Sequence, residues 1–301
     1  MACYHPLTAW YGDHNRTDKK IVFNEHYAAH RLLTLTLPCG QCWGCRLEGS
    51  RQWAIRCVHE ASLHEDNCFI TLTYNPASLP ENGTLVKKHF QDFMKRLRKK
   101  FPNKKIRYYH CGEYGDKNLR PHYHAIIFGL TFDDLILYKV ENGENLYTSV
   151  ILEKIWGMGF ATVGSVTFRS AAYVARYIMK KVNGQNKKAH YERVDPETGE
   201  IIDLQPEYTT MSRRPGIASG WYDKYKNDVY PSDNLHLNGK TFRPPKYYDR
   251  MYEHESPEEM EKIKALRLKN MKIHAKNNTP ERLKVREAVK IAQTKSLIRT
   301  V

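Results

Sequence analysis

The chain has 301 residues and is 41% hydrophobic, so it is long enough for one large domain or two small ones with an apolar core. No apolar stretch approaches the roughly 20 residues that cross a bilayer, and no signal peptide is visible, so we expect a soluble, non-secreted protein without a membrane partner. A net charge of +15 favours a polyanionic partner, most simply nucleic acid. An anionic membrane is the weaker alternative, because the basic stretches lack a bulky apolar face.

The first 60 residues are rich in cysteine and otherwise irregular, until a helix is predicted from about 47 to 62. Three cysteines recur at intervals of three residues, which is the spacing of a metal-binding knuckle: Cys39, Cys42 and Cys45. A structural Zn²⁺ ion needs a fourth ligand, for which we prefer Cys3 and keep Cys57 and His5 as alternatives. Free thiols are the other interpretation, because seven cysteines in a chain without an export signal are more typical of reduced thiols than of disulfides.

A β-branched and aromatic run at 68–74 predicts a strand, and a helix follows at 85–100. The apolar stripe of this helix consists of Phe90, Phe93, Met94 and Leu97. Its other face is strongly basic, and three residues there are candidate DNA contacts: Lys95, Arg96 and Lys99. Arg107, just beyond the helix, is a fourth candidate. A solvated basic face is an equally good interpretation of the helix.

The next elements are predicted as strand, strand, helix and strand, in this order: 106–113, 122–130, 150–157 and 161–168. A further helix is predicted over 171–182, with Ser170 as its N-cap. The order of these elements predicts an α+β fold with helices packed on a central antiparallel sheet.

Composition divides the chain into four segments: a cysteine-rich segment at 1–60, a core at 61–184, an irregular extension at 185–255 and a basic helical tail at 256–301. The extension is rich in Tyr, Pro, Gly and Asn and shows little periodicity. The tail is interpreted either as a solvated helix pair or as an arm that grips the backbone of a nucleic acid.

His122 and His124 stand at the head of the apolar run at 122–130. Residues two apart on a strand point to the same face, so the two imidazoles form half of a divalent-metal site. Glu113 ends the preceding predicted strand, and a hairpin would bring its carboxylate beside them. Mixed nitrogen and oxygen ligands suit Mn²⁺ or Mg²⁺ and leave positions for substrate oxygens. An exposed hairpin glutamate is the alternative for Glu113.

Tyr173 and Tyr177 are four residues apart and therefore share one face of the predicted helix 171–182. A phenol with a pKa near 10 is a poor nucleophile at neutral pH unless cations stabilise the phenolate. A metal ion could do this, together with Lys181 one turn further along. Amphipathic packing of the tyrosines and a solvated lysine at the helix end are the alternatives.

Four motifs in this order resemble those of the HUH endonucleases, the rolling-circle replication initiators. They occupy residues 69–74, 112–115, 120–124 and 173–177. With its cysteine-rich start, the chain is most similar to the replication initiators of gokushovirus-type (Microviridae) ssDNA bacteriophages. Histidines that precede the tyrosines resemble the Rep group rather than the relaxases. One departure is Tyr123, whose hydroxyl is an imperfect match for the hydrophobic residue between the histidines.

The resemblance implies an HUH endonuclease fold with a ferredoxin/RRM-like core. It also implies a nick in the single-stranded DNA of an origin, with a 5′-phosphotyrosine intermediate and later rejoining. The implied metal ligands are His122, His124 and Glu113, and the implied nucleophiles are Tyr173 and Tyr177. We weakly prefer Tyr177 as the first nucleophile, because the lysines at 180 and 181 are nearer to it.

The resemblance further implies the cytoplasm of a bacterial host as the location. The chain carries no recognisable phosphate-binding loop of a helicase, so a host helicase and a host polymerase are the expected partners. Two other functions stay open: a noncatalytic protein that stacks ssDNA or RNA bases on its aromatic residues, and a single-strand transposase with the same site. A covalent adduct on DNA would exclude the first, and the sequence of the substrate would separate the second. The oligomeric state and the nick site are not defined by the sequence.

Overall fold

The computed structural model describes residues 3–115, 118–141, 143–176, 187–194 and 198–295. A large antiparallel sheet is flanked by helices in this part of the chain, so the predicted α+β class is confirmed. None of the described helices is both long enough and apolar enough to cross a membrane.

The described residues form two compact units, one made of 3–49 with 261–295 and the other of 50–260. These units differ from the four segments predicted from composition, which stay a prediction as a division into domains. We refer to the two as the smaller and the larger unit.

The N-terminal residues form a small three-stranded antiparallel sheet that precedes a long helix. Its elements are β1 (Leu7–Tyr11), β2 (Ile21–Val22), β3 (Leu35–Leu37) and the helix α1 (Trp43–Ala61). Strand β1 is central and pairs with both neighbours. The prediction that residues 1–60 are irregular before the helix is therefore wrong. Strands of five, three and two residues are too short to produce a periodic hydrophobic signal.

The larger unit is built on a seven-stranded antiparallel sheet. Its elements up to the sixth strand are β4 (Asn67–Thr73), α2 (Lys87–Lys100), β5 (Arg107–Tyr114), β6 (Pro121–Phe128), β7 (Ile136–Glu141), β8 (Glu144–Thr148), α3 (Val150–Trp156), β9 (Ala161–Gly164) and α4 (Phe168–Arg176). Strands β5, β6, β4 and β9 lie side by side in that order. Together with α2 and α3 they form the ferredoxin-like strand–helix–strand–strand–helix–strand arrangement.

The two faces of this sheet carry different side chains, because neighbours along a strand point to opposite sides. On β6, Tyr123 packs against the α2 residue Phe90, with 6.3 Å between ring centroids. His124 points the other way and lies against Tyr173 of α4, with 5.2 Å between ring centroids. Helix α2 and helix α4 therefore cover opposite faces of the sheet.

The residues after α4 form regular elements in the described part of the segment 185–255. They are α5 (Lys187–Tyr191), β10 (Glu192–Val194), β11 (Ile201–Asp203), β12 (Tyr208–Met211), α6 (Ser219–Val229), β13 (Leu235–Leu237), β14 (Lys240–Phe242) and α7 (Lys246–Glu255). Strand β12 pairs with β5 and becomes the seventh strand of the sheet. The prediction of an irregular extension is wrong. Tyrosines fill much of its interior, such as the fully buried Tyr222 and Tyr248, and they weaken the contrast on which a periodicity analysis depends.

Two helices follow, α8 (Pro257–Ile273) and α9 (Pro280–Lys295). The prediction of a helical C-terminal tail is confirmed for these residues.

Arg107 lies inside the larger unit and is bound by protein groups. Its guanidinium forms a buried ion pair with the Glu60 carboxylate and donates to the carbonyl oxygens of Pro215 and Gly216, at 2.9 and 3.1 Å. The other oxygen of Glu60 accepts from the backbone N–H of Ala218 at 2.6 Å. The structure contradicts the prediction that Arg107 contacts DNA, because its cationic group is buried and used to join distant segments of the chain.

Removal of the Glu60 carboxylate should destabilise the larger unit strongly. In Glu60→Ala the Arg107 cation stays buried without a counter-charge, which lowers the free energy of unfolding by about 3–5 kcal/mol. Urea titration followed by circular dichroism measures this loss. The control is Asp92→Ala, which removes an acid that pairs with Lys88 on the surface at 2.6 Å and should have a much smaller effect. Equal losses in the two variants would contradict the structural role of Arg107.

Candidate metal centre and adjacent tyrosine

Three ligand-bearing side chains meet on one face of the β5–β6 hairpin. In the antiparallel register Glu113 pairs with His122, and Cys111 pairs with His124. Directly opposed residues project to the same side of a sheet, so the Glu113 side chain stands beside His122 and next to His124. The backbone N–H of Gly115 donates to the carbonyl of Arg120 at 3.0 Å and closes the hairpin at this end.

The donor atoms of these three side chains converge. The Oε1 atom of Glu113 lies 2.7 Å from Nε2 of His122 and 3.1 Å from Nε2 of His124. One ligand atom from each residue lies within 4.8 Å of the other two. Glu113 and His124 are buried, whereas His122 is partly exposed, so the cluster opens to solvent beside His122.

Hydrogen bonds behind the imidazoles fix their orientation. Nδ1 of His122 lies 3.1 Å from the carbonyl oxygen of Arg120, and Nδ1 of His124 lies 2.9 Å from Oγ1 of Thr71. A carbonyl oxygen only accepts, so Nδ1 of His122 carries the proton, and Nε2 of the neutral ring directs a lone pair at the Glu113 carboxylate. Two acceptors at this separation need a cation between them, and the donor set therefore fits a divalent metal ion.

The Glu113 carboxyl is held in its ionised form. Burial by itself raises the pKa of this group, but the interactions with the His122 and His124 rings outweigh burial and lower the pKa to about 2. A carboxylate that is charged at neutral pH is the form that binds metal ions.

Tyr173 lies next to the metal-ligand cluster. Its ring meets the His124 ring edge to face and also contacts the edge of Phe69, with 6.3 Å between the latter centroids. The residue is 8% exposed. Because α4 packs on the face of the sheet that carries the histidines, the described structure brings one of the two predicted nucleophiles to the predicted ligands.

Helix α4 begins earlier than predicted. The hydroxyl of Thr167 accepts from the backbone N–H of Ser170 at 3.1 Å, and the hydroxyl of Ser170 accepts from the N–H of Thr167 at 2.8 Å. This reciprocal pair makes Thr167 the N-cap, so the prediction of Ser170 as the cap is wrong. Ser170 is instead in the first turn, where its hydroxyl completes the cap.

Two predicted catalytic residues, Tyr177 and Lys181, lie outside the described residues. Their roles stay predictions from the sequence.

Comparison with known proteins identifies the family. Residues 67–182 match the model of a family described as replication-associated protein ORF2. The chain is 34% identical over 283 residues to replication-associated protein VP4 of Bdellovibrio phage phiMH2K, covering 91% of this chain and 84% of the relative. It is 33% identical over 282 residues to replication-associated protein ORF2 of Spiroplasma virus 4, with 86% and 82% covered.

The chain belongs to this family of phage replication-associated proteins. The family predicted from the four motifs is confirmed. A third relative is replication-associated protein ORF4 of Chlamydia phage 1, which is 29% identical over 244 residues and matches 74% of this chain and 55% of that protein. No solved structure matches the chain.

The basic residues of α2 lie away from the cluster in this replication-associated protein. Lys95 and Lys99 are exposed on a helix that packs on the face opposite to the histidines. The Arg96 guanidinium donates to the carbonyl oxygens of Ile155 and Trp156 at 2.7 and 2.9 Å and so caps the end of α3. The structure therefore does not bring the predicted DNA contacts to the predicted ligands.

Sequence reasoning missed Thr71 and Phe69, which support the cluster from β4. Thr71 pairs with His124 in the β4–β6 register, and the Phe69 ring stacks on the His124 ring with 5.6 Å between centroids. A polar residue in the middle of the run at 68–74 was the available signal, because it marks the side of that strand that faces a polar site.

The four cysteines predicted as zinc ligands also form a group. One sulfur from each of Cys3, Cys39, Cys42 and Cys45 lies within 4.8 Å of the other three. Neither of the alternative fourth ligands belongs to it: Nε2 of His5 lies 2.6 Å from Oε2 of Glu287, and Cys57 is fully buried elsewhere.

Loss of the Thr71 hydroxyl should weaken metal binding without removing a ligand. Thr71→Val leaves Nδ1 of His124 without its partner, which lowers the affinity for Mn²⁺ by about tenfold. Thr71→Ser keeps the hydroxyl and should retain the affinity. Isothermal titration calorimetry with Mn²⁺ measures both.

The matched control is Thr73→Val, on the same strand and the same face. We expect its Mn²⁺ affinity to equal that of the unchanged protein. A loss of similar size in Thr71→Val and Thr73→Val would show that the hydrogen bond to His124 has no specific role.

Proposed function

We propose that this phage replication-associated protein is a metal-dependent DNA endonuclease and strand transferase. It nicks single-stranded DNA at a replication origin, stays attached through a phosphotyrosine and later rejoins the strand, as in rolling-circle replication. The observation that carries the proposal is the position of Tyr173 beside His124 of the Glu113–His122–His124 cluster. Binding alone would need neither the convergent ligands nor a tyrosine next to them.

Glu113, His122 and His124 would hold Mg²⁺ or Mn²⁺ through one oxygen and two Nε2 atoms. When bound, the ion withdraws charge from a phosphate oxygen and lowers the barrier to attack at phosphorus. Thr71 and the Arg120 carbonyl keep the imidazoles in the orientation that directs both Nε2 atoms towards the ion. The partly exposed His122 marks the side from which a phosphate approaches.

A tyrosine hydroxyl performs the attack. Its oxygen forms a bond to phosphorus as the bond between phosphorus and the 3′ oxygen breaks. The phenol gives up its proton, and the departing 3′ oxygen takes one up and becomes the hydroxyl that primes synthesis. One phosphodiester replaces another, so the strand can be rejoined without a nucleotide cofactor. Tyr173 and Tyr177 take turns in the proposal, with Lys181 as the group that stabilises the phenolate.

The proposed partners follow from this chemistry. The substrate is the single-stranded origin DNA of the genome that encodes the protein. The sequence has no recognisable helicase motif, so we propose that a helicase and a polymerase of the bacterial host complete replication, in the host cytoplasm.

The paired tyrosines should be required for a covalent adduct. Tyr173→Phe combined with Tyr177→Phe removes both hydroxyls and should abolish the SDS-resistant complex with origin ssDNA in Mn²⁺, a reduction of at least about 10⁴-fold in attack by the protein. Binding of the same DNA should be retained, because each change removes one oxygen. Gel electrophoresis detects the adduct, and mass spectrometry of the linked peptide identifies the tyrosine.

The control variant is Tyr138→Phe on the exposed strand β7, which should form the adduct at the normal rate. An adduct of normal yield in the double variant would refute the proposed nucleophiles. Loss of the adduct in Tyr138→Phe as well would indicate a general effect of losing tyrosine hydroxyls.

The path of the DNA should avoid the basic face of α2. Because that helix covers the opposite side of the sheet, Lys95→Ala with Lys99→Ala should change the rate of nicking by no more than about twofold. Single-turnover nicking of labelled origin DNA measures this rate. A loss above about tenfold would place the DNA across α2 and contradict an approach confined to the face with the histidines.

A further inference from the structure

We propose that four cysteines of the smaller unit bind a single structural Zn²⁺ ion: Cys3, Cys39, Cys42 and Cys45. This site is chemically independent of the cluster around Glu113. Its role is to fold the smaller unit, which has little hydrophobic core of its own.

The spacing of the sulfur atoms matches a tetrahedral site. The Sγ atom of Cys3 lies 3.6 Å from that of Cys39 and 3.9 Å from that of Cys42. A tetrahedron with zinc–sulfur bonds of about 2.3 Å has sulfur–sulfur edges of about 3.8 Å. A disulfide would need about 2.05 Å, and the four thiols form none in the described structure.

Backbone N–H groups point at these sulfurs, as required for ligands that carry charge. The N–H of Tyr4 donates to Sγ of Cys42 at 3.3 Å, and the N–H of Cys39 donates to Sγ of Cys3 at 3.3 Å. The N–H of Cys42 donates to Sγ of Cys39 at 3.2 Å. Such bonds stabilise thiolates and fix their directions, in the same way as the outer hydrogen bonds of other metal sites.

The ligands come from positions that fasten the small sheet at both ends. Cys3 precedes β1, Cys39 follows β3, and the remaining two stand at the start of α1. Strands of five, two and three residues bury few apolar side chains, and Leu32 and Leu33 are 96% and 64% exposed. A sheet of this size is not stable by itself, so a metal ion is the expected source of stability.

The same fastening would position the C-terminal helix of the smaller unit. The indole N–H of Trp43, the residue after Cys42, donates to Oγ1 of Thr294 in α9 at 2.9 Å. Nε2 of His5, two residues after Cys3, lies 2.6 Å from Oε2 of Glu287 in α9. Loss of the ion would therefore release the basic helix α9 as well as the N-terminal strands.

A single ion fits better than an iron–sulfur cluster. All four sulfurs lie within 4.8 Å of one another, whereas cysteines around a multi-iron cluster must spread around its greater width. Four thiolates in a tetrahedron favour zinc, and one iron ion is the alternative that the experiment must exclude.

The test is the metal content of the purified full-length protein. We expect about one zinc ion per chain by mass spectrometry of the metals, and a loss of this zinc in Cys39→Ser combined with Cys42→Ser. Cys57→Ala removes a buried thiol outside the group and should keep the zinc. His122→Ala combined with His124→Ala should also keep it, which separates this site from the nuclease site.

Two further measurements keep the test decisive if the cysteine variants do not fold. Unchanged protein in which Co²⁺ replaces zinc should show the intense visible bands and sulfur-to-metal charge transfer of a tetrahedral site with four thiolates. Removal of zinc by a strong chelator should expose residues 3–49 to protease while 50–260 stays resistant.

Several results would overturn the proposal. They are weak octahedral Co²⁺ bands, iron in place of zinc, a zinc content that Cys39→Ser with Cys42→Ser leaves unchanged, or zinc lost only in the histidine variants. The covalent adduct on DNA is scored separately, so failure of the zinc site leaves the proposed nuclease activity to its own test.

Discussion

The register between β5 and β6 is the constraint on which the site depends. It sets Glu113 opposite His122 and leaves His124 two residues further along the same face. A slip of one residue would turn both histidines into the apolar layer under α2 and separate them from the carboxylate. The same register explains Tyr123, which faces that layer, where its hydroxyl donates to the carbonyl of Val86 at 2.9 Å and lies 2.7 Å from the Tyr74 hydroxyl. A tyrosine between the histidines is thus compatible with the site, because its hydroxyl is bonded on the other side of the sheet.

Much of the core could be predicted because its hydrophobic pattern is regular. The apolar stripe of α2 is buried as predicted, and β4, β5 and β6 lie within two residues of their predicted bounds. Prediction failed where short elements or tyrosine-rich interiors hide the pattern. Strand β12, which completes the sheet, has only four residues, and nothing in its sequence indicates that it pairs with β5. The start of α4 was misplaced because Thr167 and Ser170 are both good N-caps, and only the hydrogen bonds distinguish them.

The candidate site divides in the same way. His122, His124 and Glu113 could be brought together from the sequence, since alternation along a strand and one hairpin are sufficient. Positive charge was a poor guide, because the sequence does not tell whether a cation is buried or which face of the sheet its helix covers. Arg107 is bound inside the protein by Glu60, and the lysines of α2 lie on the far face. Positions set by the packing of distant segments, such as the Pro215 carbonyl that Arg107 reaches, can be found only in the structure.

The most direct measurement is a crystal structure of the protein with Mn²⁺ and a single-stranded origin oligonucleotide, recorded at a wavelength where manganese scatters anomalously. We expect one anomalous peak in contact with Glu113, His122 and His124, with a DNA phosphate between this peak and a tyrosine hydroxyl of the segment that begins with α4. A manganese peak away from these three side chains, or DNA bound only on the α2 face of the sheet, would contradict the proposed mechanism.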